Sequence, residues 1–127
     1  IASDGSSLRS TGPLSAGKPH PRSYGTFPRF LSMVRETNQV SLEEAIRKMT
    51  SLPAERLKLT RRGRLSPGQF ADIVVFDSKE VRDIATFESP HEYSEGIEQV
   101  LVNGTVVVSD GKPIGKRPGR VIRSSTE

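Results

Sequence analysis

The sequence predicts an α+β fold in which an irregular segment and helices come first and β-strands follow. Apolar residues recur with helical spacing between residues 26 and 57, and the pattern changes to that of strands near Pro67–Gly68. Asn103–Gly104, between two β-branched runs, predicts a hairpin, because both positions of the favoured two-residue turn need a positive φ. We therefore expect helices within 26–59, mostly antiparallel strands within 65–127, and two segments, 1–64 and 65–127.

The first segment opens with residues 1–25, which are rich in Ser, Gly and Pro and predict a long irregular loop. A short helix is expected next, because apolar residues recur at i, i+3, i+4 and i+7 (Phe27, Phe30, Leu31 and Val34). Thr26 is the predicted cap of this helix. Pro28 fits the first turn, where a missing N–H costs nothing.

A second helix is predicted from Ser41 and Glu44, which have the spacing of a capping box. One apolar face follows from helical spacing (Leu42, Ala45, Ile46, Met49 and Leu52). Pro53 is expected to start a further short turn that carries Ala54 and Leu57. The polar stretch 61–68, with its Gly and Pro residues, sets the boundary.

The second segment is predicted to hold strands. Residues 71–77 are apolar and β-branched on both faces, as expected of a largely buried strand. Ile97–Val102 and Thr105–Ser109 form the predicted hairpin, and a turn at Asp110–Gly111 follows it. A last short strand is expected at Arg120–Arg123.

Composition excludes several classes of protein. The chain has 127 residues, and none of its apolar runs approaches the roughly 20 residues of a membrane helix. It has no cysteine, which excludes a disulfide framework and a thiol nucleophile and suits a cytoplasmic location. The opening Ile1–Asp4 lacks an initiator Met and a signal sequence, so we expect a piece of a longer protein.

The net charge of +4 is distributed unevenly along the chain. Two runs, 61–64 (RRGR) and 116–123 (KRPGRVIR), are basic. A basic patch can be the footprint of a nucleic-acid site. These runs have no interleaved aromatic residues and no accompanying nucleic-acid motif, so solvated loops are the favoured interpretation.

Three side chains are candidates for chemistry on their own spacing. Asp4 follows what can be the end of a strand, where a carboxylate suits a metal ligand or a general base, although Asp–Gly also marks turns. His20 and His91 each neighbour a proline and have no i, i+4 partner, which predicts loop packing rather than a metal site. The sequence contains no P-loop, G-x-S-x-G or H-E-x-x-H motif, so spacing alone leaves the enzyme question open.

Longer motifs resemble one family. The segments are HPRSYGTFPRFL (20–31), SLEEAIRKMTSLPAERL (41–57), GQFADIVVFD (68–77), TFESPHEYSEGIEQ (86–99) and VLVNGTVVVSDGKPIGKRPGRVIR (100–123). Together they resemble the carboxy-terminal part of N-acyl-D-amino-acid deacylases (D-aminoacylases), in the metal-dependent amidohydrolase superfamily. The helix, strand and V-N-G pattern is widespread in the superfamily. The H-P-R-x-Y-G-T-F and H-E-Y-x-E-G-I segments resemble the deacylase branch.

The resemblance implies a fold and a set of roles. The fold would be the end of a (β/α)8 barrel, within 1–64, followed by strands of a small β-sandwich, within 65–127. Asp4 would match the carboxylate that ligates zinc and moves the proton of the attacking water, and Arg22 the arginine that grips the substrate carboxylate. The other zinc ligands would lie upstream, so the partners are a small N-acyl-D-amino acid and the remaining amino-terminal part of the enzyme. The chain alone is expected to be inactive and to bind zinc poorly.

Two alternatives remain open at the level of the sequence. The first keeps the superfamily but changes the substrate to a cyclic amide or ureide, as in dihydroorotase- or hydantoinase-like members. The second is a non-enzymatic module whose basic runs bind nucleic acid or a protein partner.

Overall fold

Helices precede strands along the chain, as the pattern predicts. The computed structural model describes residues 1–123, so the last four residues of the predicted strand segment, 124–127, lie outside the described residues. A short 3₁₀ turn at Pro13–Ser15 comes first. The elements that follow are α1 (Arg22–Thr37), α2 (Leu42–Met49), α3 (Ser51–Arg56), β1 (Ile73–Phe76), β2 (Ile97–Val102), β3 (Thr105–Ser109) and β4 (Lys112–Pro113).

Helix α1 begins earlier than predicted. Its N-cap is Pro21 rather than Thr26, and Pro28 lies inside the helix. The hydroxyl of Thr26 donates to the carbonyl of Arg22 instead of capping. The prediction followed the preference of proline for a first turn. It missed tertiary contacts of Tyr24 and Gly25, described below, that hold an additional turn in the helical conformation.

The prediction for α2 is confirmed at its start. Ser41 is the N-cap, and its hydroxyl accepts a hydrogen bond from the N–H of Glu44 at 3.2 Å. The carboxylate of Glu44 pairs with Arg47 one turn later, at 2.6 Å, and this hydrogen bond lowers the pKa of Glu44. Helix α3 begins at Ser51 rather than at the predicted Pro53; Ala54 is buried, and Leu57, the C-cap, is exposed.

The strands form one antiparallel sheet in the order β1-β2-β3-β4. The predicted hairpin is confirmed: Val102 pairs with Thr105, and the turn residues Asn103 and Gly104 have φ of 47° and 77°. The strand predicted at 120–123 is wrong, since those residues have no regular structure and the last strand is β4. Lys112–Pro113 pairs there because the Asp110–Gly111 turn reverses the chain directly after β3.

Strand β1 is less buried than predicted. Val74 and Val75 are 52% and 40% exposed, because β1 is an edge strand and residues 1–123 leave part of its surface uncovered. An apolar groove of about 350 Å³ lies beside it, between the helices and the sheet. Its lining includes residues from α1, α2, β1 and β2 (Phe27, Leu31, Ile46, Met49, Phe76 and Val100).

The core joins the helical segment to the strand segment. Its buried centre contains Leu31 and Val34 from α1, Ala45 from α2, and Val81 from the connection between β1 and β2. Phe76 and Ile97 pack against this centre from the sheet. The boundary between 64 and 65 therefore separates two kinds of secondary structure that share one core.

Candidate active site

The structure brings the two candidate residues, Asp4 and Arg22, together. Nη2 of Arg22 lies 2.8 Å from Oδ2 of Asp4, and Nε donates to the backbone carbonyl of Asp4 at 2.8 Å. Arg22 begins α1, whereas Asp4 belongs to the extended amino-terminal segment. One guanidinium therefore holds both the side chain and the backbone of the aspartate.

The backbone around Asp4 is fitted to this contact. Asp4 has a φ of 49°, in the left-handed region that aspartate tolerates better than most residues. Gly5 follows, and a Cβ there would lie 2.9 Å from Cα of Ser23, closer than real contacts allow. The N–H of Ser6 donates to the hydroxyl of Ser23 at 3.2 Å. The amino-terminal segment thus packs directly against the first turn of α1.

The Asp4–Arg22 pair is open to solvent. The two side chains are 85% and 45% exposed, and exposed ion pairs contribute about 0–1 kcal/mol. The contacts use Nε and Nη2 of Arg22 and leave Nη1 without a hydrogen bond inside residues 1–123. A second carboxylate can therefore meet the Nη1–Nη2 edge of the same guanidinium.

His20 supports the backbone of Arg22. Its Nδ1 accepts a hydrogen bond from the Arg22 N–H at 3.1 Å, so the neutral ring carries its proton on Nε2. The ring packs edge-on against Phe87 with centroids 4.9 Å apart. The prediction that this histidine packs a loop is confirmed.

A cavity of about 410 Å³ adjoins Arg22. Its lining includes His20, Thr26, Phe87 and a second ion pair, Arg29–Asp83. Nε and Nη2 of Arg29 lie 3.0 Å and 2.9 Å from Oδ2 of Asp83. The cavity therefore combines a cation at its edge with an aromatic wall.

Asp83 is buried against α1. Its side chain is 3% exposed, and its Oδ1 accepts from the N–H of Ala85 at 2.9 Å. A Cβ at Gly25 would lie 1.9 Å from this carboxylate. Sequence reasoning missed the arrangement, although a glycine within a helical pattern can signal a close approach.

A second polar cluster lies on the other side of α1. The hydroxyl of Tyr24 is 2.9 Å from Nδ1 of His91, and Nε2 of His91 is 2.9 Å from the carbonyl of Gly17. Tyr24 also packs edge-on against Tyr93, with centroids 5.7 Å apart. Burial, and secondarily Tyr93, raises the pKa of Tyr24. His91 packs a loop, as predicted.

The described residues do not form a complete metal site. Within 1–123, no group of three or more His, Cys, Asp or Glu side chains could hold a metal ion. A catalytic zinc normally takes three protein ligands. Both nitrogens of His91 contact protein atoms, and the exposed carboxylate of Asp4 is chemically suited to supply a single ligand.

The two basic runs meet at one aromatic ring. The guanidinium carbons of Arg61, Arg62 and Arg120 lie 4.4, 4.3 and 5.8 Å from the centroid of Phe70. Arg62 also pairs with Asp72, and Arg64 pairs with Glu55. These contacts join the basic runs to the segment before β1 and to α3, and they are consistent with the structural interpretation of the runs. Among the described residues, no helix is long and apolar enough to cross a membrane.

A sequence profile of the amidohydrolase family matches residues 12–108. The match covers most of the chain, so the chain belongs to the amidohydrolase family. It includes Arg22 and begins after Asp4.

Three relatives show which members of the amidohydrolase family this chain resembles. N-acyl-D-glutamate deacylase from Alcaligenes xylosoxydans xylosoxydans is 50% identical over 106 residues, which is 83% of this chain and 22% of that protein. N-acyl-D-aspartate deacylase from the same organism is 49% identical over 105 residues, 82% of this chain and 21% of that protein. The D-aminoacylase of this organism is 48% identical over 106 residues, which is 83% of this chain and 22% of that protein. The chain spans about a fifth of these relatives, and its resemblance to N-acyl-D-amino-acid deacylases is confirmed.

Solved structures agree with these relatives. A crystal structure of D-aminoacylase has a TM-score of 0.80 at 47% identity, over 84% of this chain and 23% of that one. N-acyl-D-glutamate deacylase from Bordetella bronchiseptica, complexed with zinc and a phosphonate that mimics the tetrahedral intermediate, has a TM-score of 0.70 at 46% identity, over 76% and 21% of the two chains. A further solved structure is that of a D-aminoacylase with a binuclear metal center.

Proposed function

We propose that this chain is part of a metal-dependent hydrolase that cleaves N-acyl-D-amino acids to a carboxylate and a D-amino acid. The observation that carries the proposal is the Asp4–Arg22 pair beside a cavity, in a chain 48–50% identical to three deacylases of this class. The pair supplies an anion and a cation at one place. Hydrolysis of an N-acyl amino acid uses both, because the substrate presents a carboxylate, which a cation binds, beside the amide to be cleaved, where an anion can act as a base.

In this proposal Arg22 binds the substrate carboxylate. Its Nη1–Nη2 edge offers two parallel N–H donors, which match a carboxylate better than a single ammonium does. Asp4 already occupies the Nε–Nη2 edge, so the substrate and Asp4 would flank the same guanidinium. This arrangement would place the amide of the substrate near the carboxylate of Asp4.

Asp4 is proposed to be one ligand of a zinc ion and the group that accepts and later delivers the proton. Zinc, when bound, lowers the pKa of a water ligand to about 7 and polarises a carbonyl. Asp4 would take a proton from the attacking water and give it to the departing amine. Its 85% exposure leaves the carboxylate accessible to a metal ligated by other parts of the protein.

The rest of the polypeptide is proposed as the partner of this chain. Residues 1–64 would form the end of a barrel, and the strands would belong to a sandwich. The exposed valines of β1 and the apolar groove support this view, because apolar surface of this kind is normally covered.

The test is a substrate panel run on the whole protein and on the 127-residue chain alone. We expect the whole protein, with zinc, to hydrolyse N-acetyl-D-glutamate and other N-acyl-D-amino acids, and the chain alone to be inactive. The L-enantiomers and a cyclic ureide serve as comparison substrates. Preferential hydrolysis of the ureide would contradict the proposal, as would activity of the isolated chain.

A further inference from the structure

The loop between the two candidate residues is long and has little regular structure of its own. It runs from Gly5 to Pro21, and its one regular element in the structure is the turn at Pro13–Ser15. Loops longer than about 12–15 residues without secondary structure are uncommon in compact domains and are usually functional segments, linkers or disordered segments. The ion pair between Asp4 and Arg22 closes the base of this loop.

Two side chains from a distant segment hold the middle of the loop. The N–H of Ser10 donates to the hydroxyl oxygen of Tyr93 at 3.3 Å. His91 reaches the carbonyl of Gly17 at 2.9 Å through Nε2. Both side chains come from the H-E-Y segment, more than 70 residues later in the chain. The loop is therefore attached at two points by one short motif.

The hydrogen-bond chemistry fixes the state of His91. A carbonyl only accepts, so Nε2 of His91 must carry the proton and donate to Gly17. In the neutral ring, Nδ1 is then an acceptor, and the hydroxyl of Tyr24 donates to it at 2.9 Å. One imidazole thus links the loop, through Gly17, to Tyr24 on the first turn of α1.

Tyr24 lies two residues after Arg22, and Gly17 lies five residues before it. The link through His91 therefore joins two points of the backbone on either side of Arg22, and the backbone between them sets the position of the Arg22 guanidinium. The ring contacts of Tyr24 with His91 and Tyr93, at 5.6 and 5.7 Å between centroids, hold the same turn from the side.

We propose that His91 and Tyr93 are positioning residues that fix the loop 5–21 and thereby hold Arg22 in place to bind the substrate carboxylate. Neither residue touches the substrate in this proposal. The role rests on the function proposed above for Arg22. The attachment of the loop itself is independent of that function.

The first experiment compares two substitutions of His91 in the whole protein by hydrogen-exchange mass spectrometry. The amide nitrogen of glutamine lies near the place of Nε2, so His91→Gln keeps a donor for Gly17. The amide oxygen of asparagine lies near the place of Nδ1, so His91→Asn keeps an acceptor for Tyr24 but loses Gly17. We expect about fivefold faster exchange of peptides within 6–19 in His91→Asn, the factor that corresponds to about 1 kcal/mol for one hydrogen bond.

Two further variants sharpen this comparison. Tyr93→Phe keeps the ring contact with Tyr24 and removes the acceptor of Ser10, so faster exchange is expected around Ser10. Glu92→Gln alters the exposed residue between His91 and Tyr93, and the loop amides of this variant should exchange at the rate of the parent protein. Unchanged exchange in both His91→Asn and Tyr93→Phe would overturn the proposal. So would an equal increase in the loop, α2 and the hairpin, since that indicates general destabilisation.

Kinetics test the positioning role. For an N-acyl-D-amino acid, His91→Asn should raise KM about fivefold with kcat within about twofold, and His91→Gln should restore most of the loss. For the amide of the same substrate, which lacks the carboxylate, KM should change little in both variants and to the same extent. Faster loop exchange without a change in KM would overturn the positioning of Arg22. If the protein hydrolysed no N-acyl-D-amino acid, the proposed function would fail, and the exchange data would still decide whether the loop is attached in this way.

Discussion

Arg22 and Arg29 lie on the same helix, α1, and each pairs with an aspartate from a distant part of the chain. The partner of Arg22 is Asp4, whose side chain is 85% exposed, and the partner of Arg29 is Asp83, whose side chain is 3% exposed. The nitrogen–oxygen distances, 2.8 and 2.9 Å, are nearly the same. The two pairs therefore differ mainly in the burial of the aspartate, since both arginines are partly exposed, at 45% and 67%.

The difference in the burial of the two aspartates gives the two ion pairs different properties. A buried carboxylate is costly to leave without partners, and Asp83 has them in Arg29 and the N–H of Ala85. An exposed pair contributes little to stability and can exchange one partner for another at low cost. The Arg29–Asp83 pair therefore attaches the helix to a distant segment, whereas the exposed Asp4–Arg22 pair is the one that we propose binds a substrate and a metal.

The largest expected effect is on catalysis at Asp4. Asp4→Asn keeps the shape and one ligand oxygen but removes the group that accepts a proton, so kcat should fall about 10²–10⁴-fold. The free energy of unfolding should change by less than about 0.5 kcal/mol, as for other exposed sites. Steady-state kinetics of the zinc-loaded whole protein and urea denaturation measure the two quantities. A kcat within a few-fold of the parent would remove Asp4 from the mechanism.

The next effect concerns the buried carboxylate of Asp83 and is an effect on stability. Gly25→Ala would force a methyl group into the carboxylate of Asp83 and displace it from Arg29. We expect a loss of about 3 kcal/mol in the free energy of unfolding, from overpacking and a broken charged hydrogen bond, after the small gain in helix propensity. Gly119→Ala is the matched control, because its Cβ would meet nothing within 4 Å. Equal stability of the two variants would show that Asp83 does not occupy this place.

The smallest of these three expected effects is on substrate binding at Arg22. Arg22→Lys keeps the charge but loses the two parallel donors, so KM for an N-acyl-D-amino acid should rise about tenfold, with kcat changed little. The corresponding substrate amide should show no such increase. If both substrates are affected equally, Arg22 does not recognise the carboxylate, and its contact with Asp4 is then its main role.

Local sequence signals were accurate where neighbouring residues determine the structure. Ser41 caps α2 because its hydroxyl accepts from the N–H of Glu44, which has no partner within the helix, and Asn103–Gly104 forms the hairpin turn because both residues adopt positive φ. The prediction for the start of α1 was wrong because Pro28 was treated as a local signal. Contacts with Asp83 and His91, far along the chain, extend that helix to Arg22.

The candidate residues Asp4 and Arg22 could be identified from the sequence through the resemblance of their surroundings to one family. Their proximity could not, since no local pattern relates residues on opposite sides of a long loop. The roles of Gly25, Asp83 and Tyr93 were likewise missing from the sequence analysis. Each depends on a partner more than 50 residues away in the chain.

The sequence by itself thus determined the order of helices and strands, the α2 cap, the hairpin turn and the family to which the chain belongs. These features depend on the spacing of apolar residues, on backbone preferences and on motifs read along the chain. Only the tertiary structure decided that Asp4 meets Arg22, that Asp83 is buried under Gly25 and that the H-E-Y segment holds the loop. The physical reason is that burial and hydrogen-bond partners are set by which distant residues pack together, and those contacts decide whether an ion pair stabilises the fold or is available for chemistry.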